Sequence, residues 1–387
     1  MSTDAIPMLD LGAQHAPIAA ELTAAIARLL ASSRFVLGPE VEAFEASVAR
    51  YSGSAYGVGV SSGTDALLVA LMALGVGAGD DVITTPYTFV ATATSIARLG
   101  ARPVLVDIEP RAFALDVERA AAAITERTRV IVPVHLFGQM ADVRTLAEET
   151  RARGVAIVED AAQAIGAEQN GARAGSVGTL GAFSFFPSKN LGALGDGGMV
   201  VTNDRALEER VRLLRSHGQR ERHVAVAIGG NFRLDALQAA VLAVKLPHLD
   251  RWIAARRANA ASYESMFRAS GLAVCEGPLV PGAELALPAI LSGRTHTFNQ
   301  YVIRVACRDG LRDSLAAVGI ASEIYYPTPV HLQPAFASLG YRAGDFPESE
   351  RAARETLAVP IFPELGEARI ARVVTAVVDF LRRRGRS

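Results

Sequence analysis

Between Tyr56 and Thr202, short runs rich in β-branched residues alternate with alanine-rich stretches of helical length, and this alternation leaves few folds open. The strand candidates are Tyr56–Val60, Asp81–Thr85, Pro103–Ile108, Val130–His135, Val155–Asp160, Ala182–Phe186 and Met199–Thr202. The helical candidates are Thr64–Leu74, Phe89–Leu99, Asp142–Arg153 and Asp204–His217. Most of the strand runs are apolar throughout, as expected when helices cover both faces of a largely parallel sheet. The pattern predicts an α/β domain with a mostly parallel, seven-stranded sheet covered by helices. Helical pattern continues from Asp235 through Pro247 to about Phe267, followed by a loop-rich stretch from Gly277 to Thr297. A second α/β pattern comes next: strand Gln300–Ala306, helix Asp309–Val318, strand Ser322–Tyr326 and terminal helix Glu367–Arg383. At 387 residues there is chain enough for two cores. The expected division is a large domain at residues 1–245, with an N-terminal helical segment, and a smaller C-terminal α/β domain at 246–387.

Several function classes fall away. A formal net charge of -1 exerts no general pull toward nucleic acid or a membrane surface. The only cysteines, Cys275 and Cys307, form no CxxC, which argues against a disulfide framework or a cysteine metal site, and no metal is expected. Residues Met1 to Pro7 carry no basic segment or apolar run of signal-peptide type, and nowhere do about eighteen uncharged apolar residues stand together. A cytoplasmic location is the expectation. The basic tail Arg382 to Arg386 suits the negative end of a helix.

The cations are uneven: thirty-seven arginines stand against two lysines, Lys189 and Lys245. Arginine does not lose its proton at working pH and cannot act as an amine nucleophile, whereas lysine can once its surroundings lower its pKa. Lys189 lies in Phe183-Ser184-Phe185-Phe186-Pro187-Ser188-Lys189-Asn190, an apolar approach to the glycine-rich run Gly192 to Gly198, a setting that desolvates an amine. Lys245, just before Leu246-Pro247, reads as a structural cation at a helix end.

Three further features gather around Lys189. Ser61-Ser62-Gly63-Thr64-Asp65 follows a strand and opens a helix, where free N–H groups hold a phosphate or a side chain simply caps the helix. The run is neither a dinucleotide fingerprint, since Ser62 stands at the third glycine after Gly57 and Gly59, nor a Walker-A loop. Val155 to Asp160 ends a buried strand on a carboxylate, at the end of an α/β sheet where ligands bind; Asp160 either pairs with a cation or caps the next helix. Phe89, after Pro86-Tyr87-Thr88, either lies against a flat ring or joins the core. His135 fits a hydrogen-bonded core residue, and His217 and His223, flanking Arg220 and Arg222, fit a solvated loop or a nucleotide-phosphate contact. Together an amine, an acid, a stacking ring and phosphate donors describe a site for pyridoxal 5'-phosphate.

At these residues the chain resembles the DegT/DnrJ-type nucleotide-sugar aminotransferases, fold-type I enzymes of pyridoxal phosphate. The similar stretches are Phe35 to Val41, Ser62 to Leu67, Pro86 to Thr92, Pro133 to Gln139, Glu159 to Gln163, Phe183 to Gly198, His217 to Gln219, Asn231 to Asp235 and Tyr326 to Gln333. The resemblance implies that Lys189 links covalently to the cofactor and then shuttles a proton. By the same likeness Asp160 holds the ring nitrogen, Gln163 sits beside the ring oxygen and Phe89 covers the ring. Gly63, Thr64 and Ser184 would hold the phosphate, joined by Asn231 from the other subunit of a homodimer. Arg233 resembles a substrate-anion residue lent across that dimer, and Tyr326 and His331 resemble residues lining the sugar pocket.

The implied activity is transfer of an amino group, with glutamate as donor and pyridoxamine 5'-phosphate as the intermediate form of the cofactor, to a nucleotide-linked ketosugar, a 3-keto sugar being favoured over a 4-keto one. A cyclitol or other ring ketone is the alternative acceptor, and a non-catalytic, cofactor-binding regulator the alternative of another class. Lys189 argues against the related sugar dehydratases, in which histidine replaces the lysine. Ala236 and Asn299 depart from the family pattern, where an acidic residue and a histidine often stand, and both bear on the sugar pocket.

Overall fold

A computed structural model describes residues 5–384; Met1 to Asp4, and Gly385 and Arg386 of the basic tail, lie outside the described residues. The large sheet has seven strands: β1 (Tyr56–Val60), β2 (Asp81–Thr84), β3 (Arg102–Leu105), β4 (Thr128–Ile131), β5 (Ala156–Asp160), β6 (Leu180–Ser184) and β7 (Gly198–Thr202), in the order β1-β7-β6-β5-β4-β2-β3. Neighbours from β6 across to β3 run parallel, while β7 runs antiparallel to both β6 and β1. The exception has a local cause. Parallel neighbours are usually returned by a crossover helix, whereas residues 185–197, which join β6 and β7, form none. That loop carries Lys189 and leaves it at the carboxyl edge of the sheet.

Alternate residues serve opposite faces. Phe183, Phe185, Met199 and Val201 enter one core, with Phe44 and Leu242; Ala182 and Val200 enter another, with Leu67 and Val69. Helix α1 (Gly63–Ala73) is buried nearly all round, which explains why its sequence lacks a polar face. Further on come α2 (Val90–Ala97), α3 (Ala236–Lys245) and α4 (Leu249–Ala269).

The second unit holds a four-stranded sheet of β8 (Val274–Glu276), β9 (Leu285–Leu287), β10 (Tyr301–Arg304) and β11 (Thr356–Val359). Its core contains Tyr263, Phe267, Tyr301, Ile303, Leu357 and Val377. Helix α4 joins the two cores: Leu249 and Ile253 pack with the large sheet, Ala260, Tyr263 and Phe267 with the small one. We propose that the chain divides near Lys245, at the start of this helix.

Three expectations change. The Pro103–Ile108 strand stops at Leu105, because Asp107 turns its carboxylate to the N–H groups of Glu348 and Ser349; Ile108–Glu109 instead pairs with Ala114–Leu115. The Gly277–Thr297 stretch contains β9. Ser322–Tyr326 makes only a single bridge, Glu323 to Ala358, and the neighbouring strand position belongs to β11. Among the described residues, no helix is long and apolar enough to cross a membrane, and no group of three or more His, Cys, Asp or Glu could hold a metal ion.

Candidate active site

The carboxyl ends of β2, β4, β5 and β6 open onto a cleft of about 500 Å³, as expected for ligand binding in a sheet of this kind. Lys189 stands at its wall, half-buried, on a turn closed by its own N–H donating to the Phe186 carbonyl at 2.8 Å. Burial pushes its amine down to about 8, against the charge of Asp160, which pulls the other way. An amine so placed gives up its proton more readily than one in water, the condition for a nucleophile or a proton carrier near neutral pH.

Asp160 ends β5 and is buried in the cleft floor. Its carboxylate accepts from the Thr92 hydroxyl at 2.8 Å and the Ala162 N–H at 3.2 Å. Burial still pushes its pKa up, despite these bonds and the charge of Lys189. A further cationic partner would favour its charged form. Beside it, His135 Nδ1 accepts from the Ala141 N–H at 3.1 Å, so its proton sits on Nε2, 2.8 Å from Glu159. Glu159 also takes the N–H groups of Gly175, Val177 and Gly178. Burial alone would raise the Glu159 pKa, but the His135 bond and the backbone donors hold it below the ordinary value. His135 is thus the bonded core residue expected of it, though one that reaches the cleft wall.

Ser62 caps α1 by accepting from the Asp65 N–H at 3.1 Å, and leaves the first turn aimed at the cleft with Gly63 and Thr64. The run is therefore both a cap and an open helix start. Gly63 has a steric reason. A Cβ there would lie 2.6 Å from Ser184 Cβ, closer than carbon atoms approach, so glycine lets α1 close onto β6 and brings Ser184 to the same rim.

Phe89 is 53% exposed and leans on Tyr326, ring centroids 5.8 Å apart. Its ring lies in the cleft wall, not the core. Gln163 takes the Phe137 N–H on Oε1 at 2.7 Å and gives Nε2 to the Tyr326 hydroxyl at 3.1 Å, so the two side chains fix each other.

One chain does not bring everything together. Asn231 is exposed, and Arg233 bridges to Val60 outside the cleft lining. His331 is buried elsewhere, 3.1 Å from Glu350 and packed against Phe346. Sequence reasoning missed Thr92, although Thr88 and Thr92, one turn apart and joined at 2.9 Å, are an available signal. It also missed Gln300 and Tyr325, which line the cleft from the second unit.

Pyridoxal phosphate fits the residues present. Asp160 offers a buried acid for a cationic ring nitrogen, Lys189 an amine for the aldehyde, Phe89 an open ring face, and Gly63, Thr64 and Ser184 donors at a helix start for the phosphate.

Residues 17–378 match the sequence profile of the DegT/DnrJ/EryC1/StrS aminotransferase family. The chain is 48% identical to a pleiotropic regulatory protein of Geobacillus stearothermophilus, over 97% of this chain and 99% of that one. To the UDP-N-acetyl-3-dehydro-alpha-D-glucosamine 3-aminotransferase of Acidithiobacillus ferrooxidans it is 44% identical, over 96% and 97%. Among solved structures, DesV of Streptomyces venezuelae in complex with a ketimine intermediate matches with a TM-score of 0.92 at 43% identity, covering 98% of this chain and 99% of that chain.

Proposed function

The chain belongs to the DegT/DnrJ/EryC1/StrS aminotransferase family and is a pyridoxal phosphate-dependent transaminase, and from that premise we propose that it carries an amino group from glutamate to a nucleotide-linked ketosugar, with a 3-keto sugar preferred to a 4-keto one. The observation that carries this reading is a half-buried lysine and a buried aspartate sharing one cleft, each with its pKa moved toward the neutral form by burial. The name of the Acidithiobacillus relative, a 3-aminotransferase of a 3-dehydro sugar, supports the 3-keto preference.

When bound, the cofactor supplies an electron-withdrawing ring that stabilises negative charge at the substrate carbon next to nitrogen. The chain's residues do the rest. Asp160 keeps a positive charge on the ring nitrogen by ion pairing, and Thr92 and Ala162 keep the carboxylate in place. Lys189 takes a proton at Nζ and returns it, a task suited to an amine held near 8. Gly63, Thr64 and Ser184 hold the phosphate, Phe89 covers the ring, and Gln163 sits beside the ring oxygen. Tyr326 lines the sugar side. The turn carrying His331 supports the pocket wall, because the Val330 N–H donates to the Pro86 carbonyl at 2.8 Å, three residues before Phe89. Asn231 and Arg233, outside this chain's cleft, serve the site of a second copy in a homodimer, Asn231 at the phosphate and Arg233 at a substrate anion. The proposed location is the cytoplasm.

Exposing the loaded enzyme to glutamate is expected to convert its visible absorption to that of the amine form of the cofactor. A panel of nucleotide ketosugars and cyclitol ketones, offered to that aminated enzyme, then identifies the acceptor. Reversal by nucleotide 3-keto sugars is the expected result; reversal only by a cyclitol ketone replaces the acceptor assigned above. A second reading, a cofactor-binding regulator, draws on the name of the Geobacillus relative. It requires that glutamate produce no conversion at all.

A further inference from the structure

The second lysine has its own place in the structure. Lys245 is the last residue of α3, where a cation favours the helix end. Its amine nevertheless leaves that end. The residue is 0% exposed, and Nζ donates to the carbonyl of Gly192, lies 3.0 Å from His15 Nε2 and stands 5.9 Å from the centre of the Trp252 ring. The carbonyl, the imidazole nitrogen and the ring face offer its N–H donors three different neighbours. Gly192 belongs to the loop between β6 and β7 that presents Lys189.

A second residue of α3 grips the same loop. Gln238 Oε1 accepts from the Leu194 N–H at 2.8 Å. Gln238 and Lys245 are seven residues apart, two helical turns, so both point from one face of α3. The loop is tight between these anchors: a Cβ on Gly192 would lie 2.2 Å from the Pro187 carbonyl oxygen. On its far side, Asn190 Nδ2 donates to the Thr297 carbonyl at 3.0 Å. Replacing a buried charged group by a well-packed apolar side chain is often neutral or stabilising, so what this ammonium supplies is its directed contact with the Gly192 carbonyl.

We propose that Lys245, together with Gln238, is a positioning residue for Lys189: it anchors the Gly192 carbonyl from beneath and so fixes the turn that presents the reactive amine to the cleft. This rests on the reading of Lys189 as the cofactor-linked amine, whereas the anchoring itself is measurable without cofactor. Arginine is a poor substitute, since its flat fork cannot meet a carbonyl, an imidazole nitrogen and a ring face in the directions a compact ammonium does.

The test compares wild type, Lys245→Met, Lys245→Arg and Gln238→Ala. In the apoproteins, amide hydrogen exchange is followed by peptide; in the loaded enzymes, kcat and KM for glutamate are measured. For Lys245→Met the proposal expects exchange over residues 186–197 to quicken by about tenfold or more relative to the large sheet. It also expects kcat to fall about tenfold or more while KM changes less than about threefold, with Lys245→Arg failing to restore kcat. Gln238→Ala is expected to show the same signature at smaller size, and carries the test alone if Lys245→Met does not fold. Exchange that rises evenly through the whole chain, or stays unchanged in the loop, overturns the proposal, as does an unaltered kcat in a folded variant. Should wild-type enzyme show no cofactor link at Lys189 while the loop still loosens, the anchoring stands and the reading of Lys189 is what fails.

Discussion

Lys189 and Lys245 sit in one chain, the first half-buried and the second fully buried, and desolvation pushes each amine down to about 8. Their surroundings differ in two ways. Lys189 borders an open cleft and feels the charge of a buried acid, Asp160. Lys245 is sealed between a backbone carbonyl, an imidazole and an indole. A depressed pKa therefore does not by itself mark a reactive amine. The two are separated by access to an open cleft and by a buried acid, Asp160, lining that same cleft.

The largest expected effect comes from Lys189→Ala. Transamination from glutamate should fall by about 10⁴-fold or more, while circular dichroism and the melting temperature stay near wild type. Lys245→Met should keep activity well above that floor, and the comparison breaks if the two variants are equally inactive. Next is Asp160→Asn, which keeps the shape but removes the charge proposed to pair with the ring nitrogen. A loss of about 10²-fold or more in kcat is expected from steady-state assays, and near-normal turnover would remove Asp160 from the account.

The legibility of fold and site in the sequence depends on how local each signal is. All seven strands of the large sheet show as apolar runs, because burial on both faces leaves little polar interruption. The strands of the small sheet fared worse. Val274–Glu276 and Leu285–Leu287 have three residues each, too few to show a period, and Thr356–Val359 follows the helix Pro347–Glu355 without any turn residue between them. Of the cleft residues, Asp160, Gly63, Thr64 and Phe89 were recognisable because they end a strand or open a helix, Lys189 because lysine is so scarce in this chain, and Ser184 through the family resemblance. Thr92, Gln300 and Tyr325 were not, since their roles come from tertiary contact alone. Lys245 was read from its place in sequence as a helix-end cation, but its Nζ reaches across space to Gly192, which spacing does not reveal.

A smaller effect sharpens the geometry of the phosphate end. Gly63→Ala places a methyl group 2.6 Å from Ser184 Cβ and must push α1 off β6. A stability loss of about 1–3 kcal/mol is expected by denaturant titration, with weaker cofactor binding by spectral titration. Unchanged values for both would mean that the close approach has no consequence.

The last effect concerns pH. A lysine whose folded pKa lies below its unfolded value binds fewer protons when folded. The charged amine then opposes folding at low pH, and this opposition is relieved as pH rises from about 8 toward the ordinary lysine value of 10.5. The apoprotein should therefore gain stability over that window, and Lys245→Met should flatten the rise. Denaturant midpoints taken at several pH values decide it, a rise of the same steepness in the variant being the contrary result.

The central claim is a covalent one, and borohydride addresses it directly. The enzyme loaded with pyridoxal phosphate and kept free of amino donor is reduced, digested and mapped by mass spectrometry. The expected product is a phosphopyridoxyl group on the peptide containing Lys189 and on no other. A label on Lys245, or none on either lysine, contradicts the account.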